Sequence, residues 1–100
     1  MKIALIGYGR MGKWLDSLAR KLGIDVVSIL QKQNKTEAKT ILGLQQADVW
    51  LDFSHSMAVL EHVKRAAEQK KNLLIGTTGW EEELPKVRDM VIESGIGCLF

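Results

Sequence analysis

At 100 residues, with 46% apolar and 26% charged side chains, the chain has the length of one domain and the balance of an ordinary globular one. Its formal net charge of +2 and sequence pI of about 8.8 are too weakly basic to argue for nucleic acid without a clustered face. One cysteine, Cys98, excludes an internal disulfide, and no apolar run reaches the length of a membrane span, so the expectation is a cytoplasmic protein with neither nucleic-acid nor membrane partners.

Lys2–Ile6 reads as a buried strand that ends in the cluster Gly7-Tyr8-Gly9-Arg10-Met11-Gly12. Apolar residues at Met11, Trp14, Leu15, Leu18, Ala19 and Leu22 then keep helical spacing, and Gly23 stands where a glycine closes a helix. Asp25–Leu30 is a second strand, rich in Val and Ile. The polar, lysine-rich residues 31–40 predict a loop, with one turn of helix through 37–42. Residues 49–53 form a third strand. Val59, Leu60, Val63, Ala66 and Ala67 mark a second amphipathic helix, followed by a short strand at 73–76 and a loop at 77–80. Leu84, Val87, Met90 and Val91 mark a third helix that tolerates Pro85 in its first turn, and 96–100 is a last strand. Continuous apolar strands alternating with helices predict an α/β fold, an open, mainly parallel sheet with helices on both faces.

In such a sheet ligands bind beyond the carboxyl ends of the strands. Gly7, Gly9 and Gly12 spell G-x-G-x-x-G between a strand and a helix. Gly7 permits the tight turn, Gly9 lets a pyrophosphate approach the backbone, and Gly12 lets helix and strand pack closely; the helix N-terminus faces the anion. The fold is then of Rossmann type, and the partner is a nicotinamide dinucleotide. Nineteen positions beyond Gly12 stands Gln31, where an acidic residue would bond the ribose 2′-hydroxyl of NAD, and Lys32 follows. Lys32 and Arg10 suit a 2′-phosphate, which favours NADPH over NADH.

Phe53 is placed to pack beside the cofactor, and Ser54 or Ser56 to cap the next helix. His55 reads as a solvated loop residue, and His62, inside a helix, carries no assigned role. The stretch Gly76-Thr77-Thr78-Gly79-Trp80 exposes backbone N–H groups and hydroxyls that suit a carboxamide or carboxylate. Lys64, Arg65, Lys70 and Lys71 read as a solvated face around a helix C-terminus. No residue is assigned as catalytic and none as a metal ligand.

Three stretches, Ile6-Gly7-Tyr8-Gly9-Arg10-Met11-Gly12, Leu51-Asp52-Phe53-Ser54 and Ile75-Gly76-Thr77-Thr78-Gly79-Trp80, resemble in order the dihydrodipicolinate (4-hydroxy-tetrahydrodipicolinate) reductase family of lysine and diaminopimelate biosynthesis. The likeness covers the whole chain but only the N-terminal domain of that family. It implies an NAD(P)H-dependent reductase with cofactor contacts at Gly7, Tyr8, Gly9, Arg10, Met11, Gln31, Lys32, Phe53, Gly76, Thr77 and Thr78, the last also near the substrate carboxylate; Gly12 and Ser54 complete the candidate cofactor-binding set. The family often has an acidic residue where Gln31 stands, and its members commonly accept both NADPH and NADH. Its second domain, which holds the dicarboxylate substrate, has no counterpart in residues 1–100. The resemblance therefore implies that the chain alone binds cofactor without turnover, that the full-length enzyme is a homo-oligomer, and that part of the sheet lacks the family's final helix. Two competing readings are a stand-alone NAD(P)-sensing module and a methyltransferase; the Gly-Thr-Thr-Gly loop has no evident role in the second.

Overall fold

A computed structural model describes residues 1–100. Strands and helices follow one another as β1 (Lys2–Ile6), α1 (Arg10–Lys21), β2 (Asp25–Leu30), α2 (Ala38–Gln46), β3 (Val49–Asp52), α3 (Val59–Glu68), β4 (Asn72–Ile75), α4 (Leu84–Ser94) and β5 (Cys98–Leu99). Short 3₁₀ turns at Lys32–Asn34, Ser56–Ala58 and Glu81–Glu83 lead into α2, α3 and α4. All strand pairs are parallel, in the order β2-β1-β3-β4-β5.

Each strand sends alternate residues to opposite faces, and the helices cover those faces unequally. On one face Ala4, Ile6, Trp50, Leu73 and Ile75 pack under Leu44 of α2, Val59, Val63 and Ala66 of α3, and Val87 of α4. Trp50, almost wholly buried, satisfies its indole N–H on the Leu44 carbonyl at 2.9 Å. On the other face Ile3 and Leu5 lie under Leu15 and Ala19 of α1. Leu99, at the far edge, is 67% exposed. No helix is long and apolar enough to cross a membrane.

The end of α1 falls where the sequence predicts it. Gly23 (φ 74°) follows the last turn of α1, and Gly95 (φ 74°) ends α4 by donating its N–H to the Val91 carbonyl at 3.0 Å. β3 and β4 end at Asp52 and Ile75, one residue earlier than expected, which leaves Phe53 and Gly76 in loops. The main difference is α2, nine residues long where a single turn was expected. Its sequence hides it, because Gly43 sits in mid-helix, where glycine normally weakens the fold. A Cβ there would stand 2.2 Å from the Val27 carbonyl oxygen, so this glycine lets α2 lie directly on β2. Ser28 adds a hydrogen bond to the Thr40 carbonyl at 2.9 Å.

Lys70 and Lys71 are not merely solvated. Lys71 Nζ donates to the carbonyls of Gln45 and Ala47 at the end of α2, and Lys70 Nζ to that of Ser94 at the end of α4. Each cation thus meets unpaired carbonyls at the negative end of a helix.

Candidate functional site

The chain leaves β1 for β2 on one side, then returns past β1 to β3 on the other. The loops diverge at that point and open a crevice. A cavity of about 670 Å³ fills it, lined by Ile6, Gly7, Tyr8 and Gly9 among others. One wall is the segment after β2, including Gln31, Lys32 and Lys35; the other is the segment after β3, including Phe53, Ser54 and the α3 residues Glu61, His62 and Arg65. A second hollow of about 410 Å³ shares Phe53, Ser54 and His55, and adds Met11, Gly76, Thr77 and Thr78. Arg10 lines neither space. Arg65, expected on a solvated face, belongs instead to the wall of the larger one.

The three glycines of the first loop have different reasons to be glycine. Gly7 has φ +92°, and its Cβ would stand 2.8 Å from the Phe53 carbonyl oxygen. A Cβ on Gly12 would stand 2.6 Å from the Gly7 carbonyl oxygen, so α1 could not sit against the loop. Gly9 has φ −80°, open to any residue, and its Cβ would meet nothing within 4 Å. Neither the backbone nor the packing asks for glycine at position 9.

Gly9 is also the N-cap of the 12-residue α1, which has no side-chain cap and no acidic residue in its first turn. The first N–H groups of the helix therefore have no side-chain acceptor, an arrangement that suits an anion close to the main chain. Across the crevice the ring of Phe53 lies over Gly76, where a Cβ would fall 2.0 Å from Phe53 Cε1. Phe53 thus separates the two spaces. After β2, the Gln31 amide and side chain close a tight turn with Asn34 and Gln33, which leaves Lys32 exposed and without an ion pair.

Tyr8 is held by Asp16, whose Oδ2 accepts the phenol hydrogen at 2.6 Å while its Oδ1 accepts from Arg20 Nε at 2.9 Å. The hydrogen bond to this carboxylate, followed by burial and the carboxylate's charge, raises the phenol above 10.0, with Arg20 opposing. Because the folded value lies above the unfolded one, the bond's contribution to stability is full below the unfolded pKa and is lost as pH rises through the folded one. Tyr8 is the only tyrosine, so the absorbance of its phenolate gives an unambiguous titration. The midpoint is expected above 10.0 in the wild-type protein and lower in Asp16→Ala. An identical midpoint in both proteins would count against this assignment.

A second polar centre was not foreseen from the sequence. Asp52, at the end of β3, is fully buried. Its Oδ1 accepts the Ser54 N–H at 3.0 Å and the Ser54 hydroxyl, and its Oδ2 lies 2.9 Å from His62 Nδ1. The Thr77 hydroxyl donates to the Asp52 carbonyl at 3.2 Å. A carboxylate only accepts, so the bonded Nδ1 carries the ring hydrogen. Asp52 therefore ties together the loop after β3, helix α3 and the loop after β4. Ser54 spends its hydroxyl here and does not cap a helix, and neither does Ser56, for no side chain caps Ser56–Ala58 or α3. His55 lies on the rim of both spaces and is exposed. Burial raises the thiol of Cys98, a half-buried residue of the last strand, away from nucleophilic use.

Known proteins resemble the chain over most of its length. A 4-hydroxy-tetrahydrodipicolinate reductase of Ralstonia nicotianae is 33% identical over 103 residues, covering 83% of this chain and 39% of that protein. One of Christiangramia forsetii is 29% identical over 90 residues, covering 90% and 36%. The chain thus spans little more than a third of the length of these curated relatives. Among solved structures, a dipicolinate-bound dihydrodipicolinate reductase from Paenisporosarcina sp. TG-14 aligns with a TM-score of 0.75 at 20% identity, over 98% of this chain and 45% of that one. A hyperthermophilic archaeal homoserine dehydrogenase in complex with NADPH aligns with a TM-score of 0.73 at 15% identity, over 99% and 43%. These two likenesses are of fold, the Rossmann-type sheet described above. The family described as dihydrodipicolinate reductase, N-terminus, has a model that matches residues 1–100, and the chain belongs to that family.

Proposed function

We propose that the chain is the cofactor-holding part of a 4-hydroxy-tetrahydrodipicolinate reductase and binds a nicotinamide dinucleotide in the crevice between β1 and β3. The observation that carries this reading is Gly9, a glycine that the protein's own structure does not require, beside uncapped N–H groups at the start of α1. In this reading Gly7, Tyr8, Gly9, Arg10, Met11 and Gly12 form the pyrophosphate loop. Gln31 and Lys32 meet the adenosine ribose, and Phe53 and Ser54 flank the dinucleotide. Gly76, Thr77 and Thr78 receive the nicotinamide end, with Thr78 also on the substrate side.

Once bound, NAD(P)H supplies a hydride. The residues of this chain orient it and keep water from its faces, which is most of what hydride transfer asks of a cofactor domain. The dicarboxylate substrate is held by the remainder of the longer protein, so residues 1–100 bind cofactor without turnover. The assembled reductase is a cytoplasmic homo-oligomer.

Preference within the site falls to NADPH. Gln31 places no negative charge at the end of β2, and Lys32 is free to meet a 2′-phosphate. One partly exposed charge pair contributes about 1 kcal/mol, so both cofactors bind and the preference is modest. Calorimetric titration of wild type and Lys32→Ala with NADPH and NADH tests it. The expected result is binding of both, with Lys32→Ala weakening NADPH about five-fold and leaving NADH unchanged. Equal affinity of wild type for the two would contradict the preference.

A further inference from the structure

We propose that Arg65 reads the phosphate on the adenosine ribose and, with Lys32 and Lys35, sets the preference for NADPH from the wall opposite β2. The inference rests on the dinucleotide reading above and adds to it a specificity-determining residue on α3.

Helix α3 turns Val59, Val63 and Ala66 into the core. The neighbouring stripe, Ala58, Glu61, His62 and Arg65, repeats at helical spacing and lines the larger cavity. Arg65 is half-buried and takes part in none of the chain's ion pairs, which join Arg20 to Asp16, His62 to Asp52 and Lys86 to Glu83. Apart from the two histidines, the charged residues around this cavity are Lys32, Lys35 and Arg65 against Glu61 alone. Three cations facing one carboxylate across a cleft suit an added dianion.

The pyrophosphate is already provided for at the start of α1, so these cations answer to a second phosphate. A guanidinium matches two oxygens of a phosphomonoester at once, and does so better than an ammonium. A planar guanidinium can instead stack on an adenine ring, which NADPH and NADH share. The two roles separate cleanly, because only recognition of the phosphate distinguishes the two cofactors.

The test is titration of the full chain, as wild type, Arg65→Gln and Arg65→Lys, with NADPH, NADH, adenosine 2′,5′-bisphosphate and 5′-AMP. Thermal unfolding confirms that each variant is folded. Arg65→Gln is expected to weaken NADPH and the bisphosphate about ten-fold, while NADH and AMP change by less than about two-fold. It is also expected to flatten the dependence of NADPH affinity on salt, and Arg65→Lys to recover part of the loss. Equal weakening of both members of each pair would overturn the proposal in favour of stacking on adenine. An unchanged NADPH to NADH ratio in a protein that binds both would overturn it and leave the dinucleotide site intact. A folded wild type that binds none of the four would overturn the dinucleotide reading, and this inference with it.

Discussion

Gly9→Val is expected to abolish dinucleotide binding while leaving the fold as stable as before. A Cβ at position 9 meets nothing in the protein, and φ −80° suits valine. The poorer N-cap costs up to about 1 kcal/mol, and the loss of glycine's freedom in the unfolded chain returns about 0.4–1 kcal/mol. The melting temperature should therefore move by only a few degrees. The branched side chain, however, occupies the space through which a pyrophosphate reaches the first N–H groups of α1. Affinity should fall at least about 100-fold, the effect of losing two hydrogen bonds to a charged group at about 1.5 kcal/mol each. The neighbouring glycines should behave in the opposite way. Gly7→Val forces φ +92° on a branched residue and drives its Cβ within 2.8 Å of the Phe53 carbonyl oxygen, so it should destabilise the protein by about 2–3 kcal/mol. Comparing the two variants by calorimetric binding and thermal unfolding checks both halves of the argument. A Gly9→Val protein that binds like wild type would remove the main support for the site.

Asp52→Ala carries the largest expected loss of stability. The substitution leaves the Ser54 N–H, the Ser54 hydroxyl and His62 Nδ1, all half-buried, without the acceptor that the fully buried Asp52 gives them. A donor left without its acceptor costs about 1–3 kcal/mol, so the three together cost roughly 3–5 kcal/mol. That is a large part of the roughly 5–15 kcal/mol that holds a domain together. For a chain of this length it corresponds to a fall in melting temperature of about 15 °C or more. Asp52→Asn keeps one acceptor oxygen and should fall between the two, and Ser54→Ala, which removes only one donor, should cost about 1 kcal/mol. If thermal unfolding places Asp52→Ala within a few degrees of wild type, the carboxylate does not hold the loop after β3 to helix α3.

What the sequence made legible follows from how local each requirement is. β1, β2, the turn at Gly7 and the close packing at Gly12 are legible because the apolar runs and the glycines state their demands within a dozen residues. α2 was reduced to one turn because Gly43 looks like a breaker, and its purpose appears only when Val27 of β2 lies beneath it. Asp52 and His62 are ten residues apart, and nothing in their spacing says that α3 returns to place the ring on the carboxylate. The available signal was a carboxylate at the end of an otherwise apolar strand, where burial demands a partner. Arg65 reads as solvated surface in the sequence because it stands in a run with Lys64, Lys70 and Lys71. Its position on the cavity wall emerges only once the fold sets this stripe of α3 across from the segment after β2, which is distant in sequence.

The central claim is that one crevice, built from the loops after β1, β2, β3 and β4, holds the dinucleotide. Its most direct test is a titration of the isotope-labelled protein with NADPH, followed through the backbone amide resonances. The account predicts saturable shifts at Gly7, Tyr8, Gly9, Arg10, Met11 and Gly12, at Gln31 and Lys32, at Phe53 and Ser54, and at Gly76, Thr77 and Thr78, while α4 and the far edge at β5 stay still. Saturable shifts centred elsewhere, or a folded protein whose amides do not respond, would contradict it.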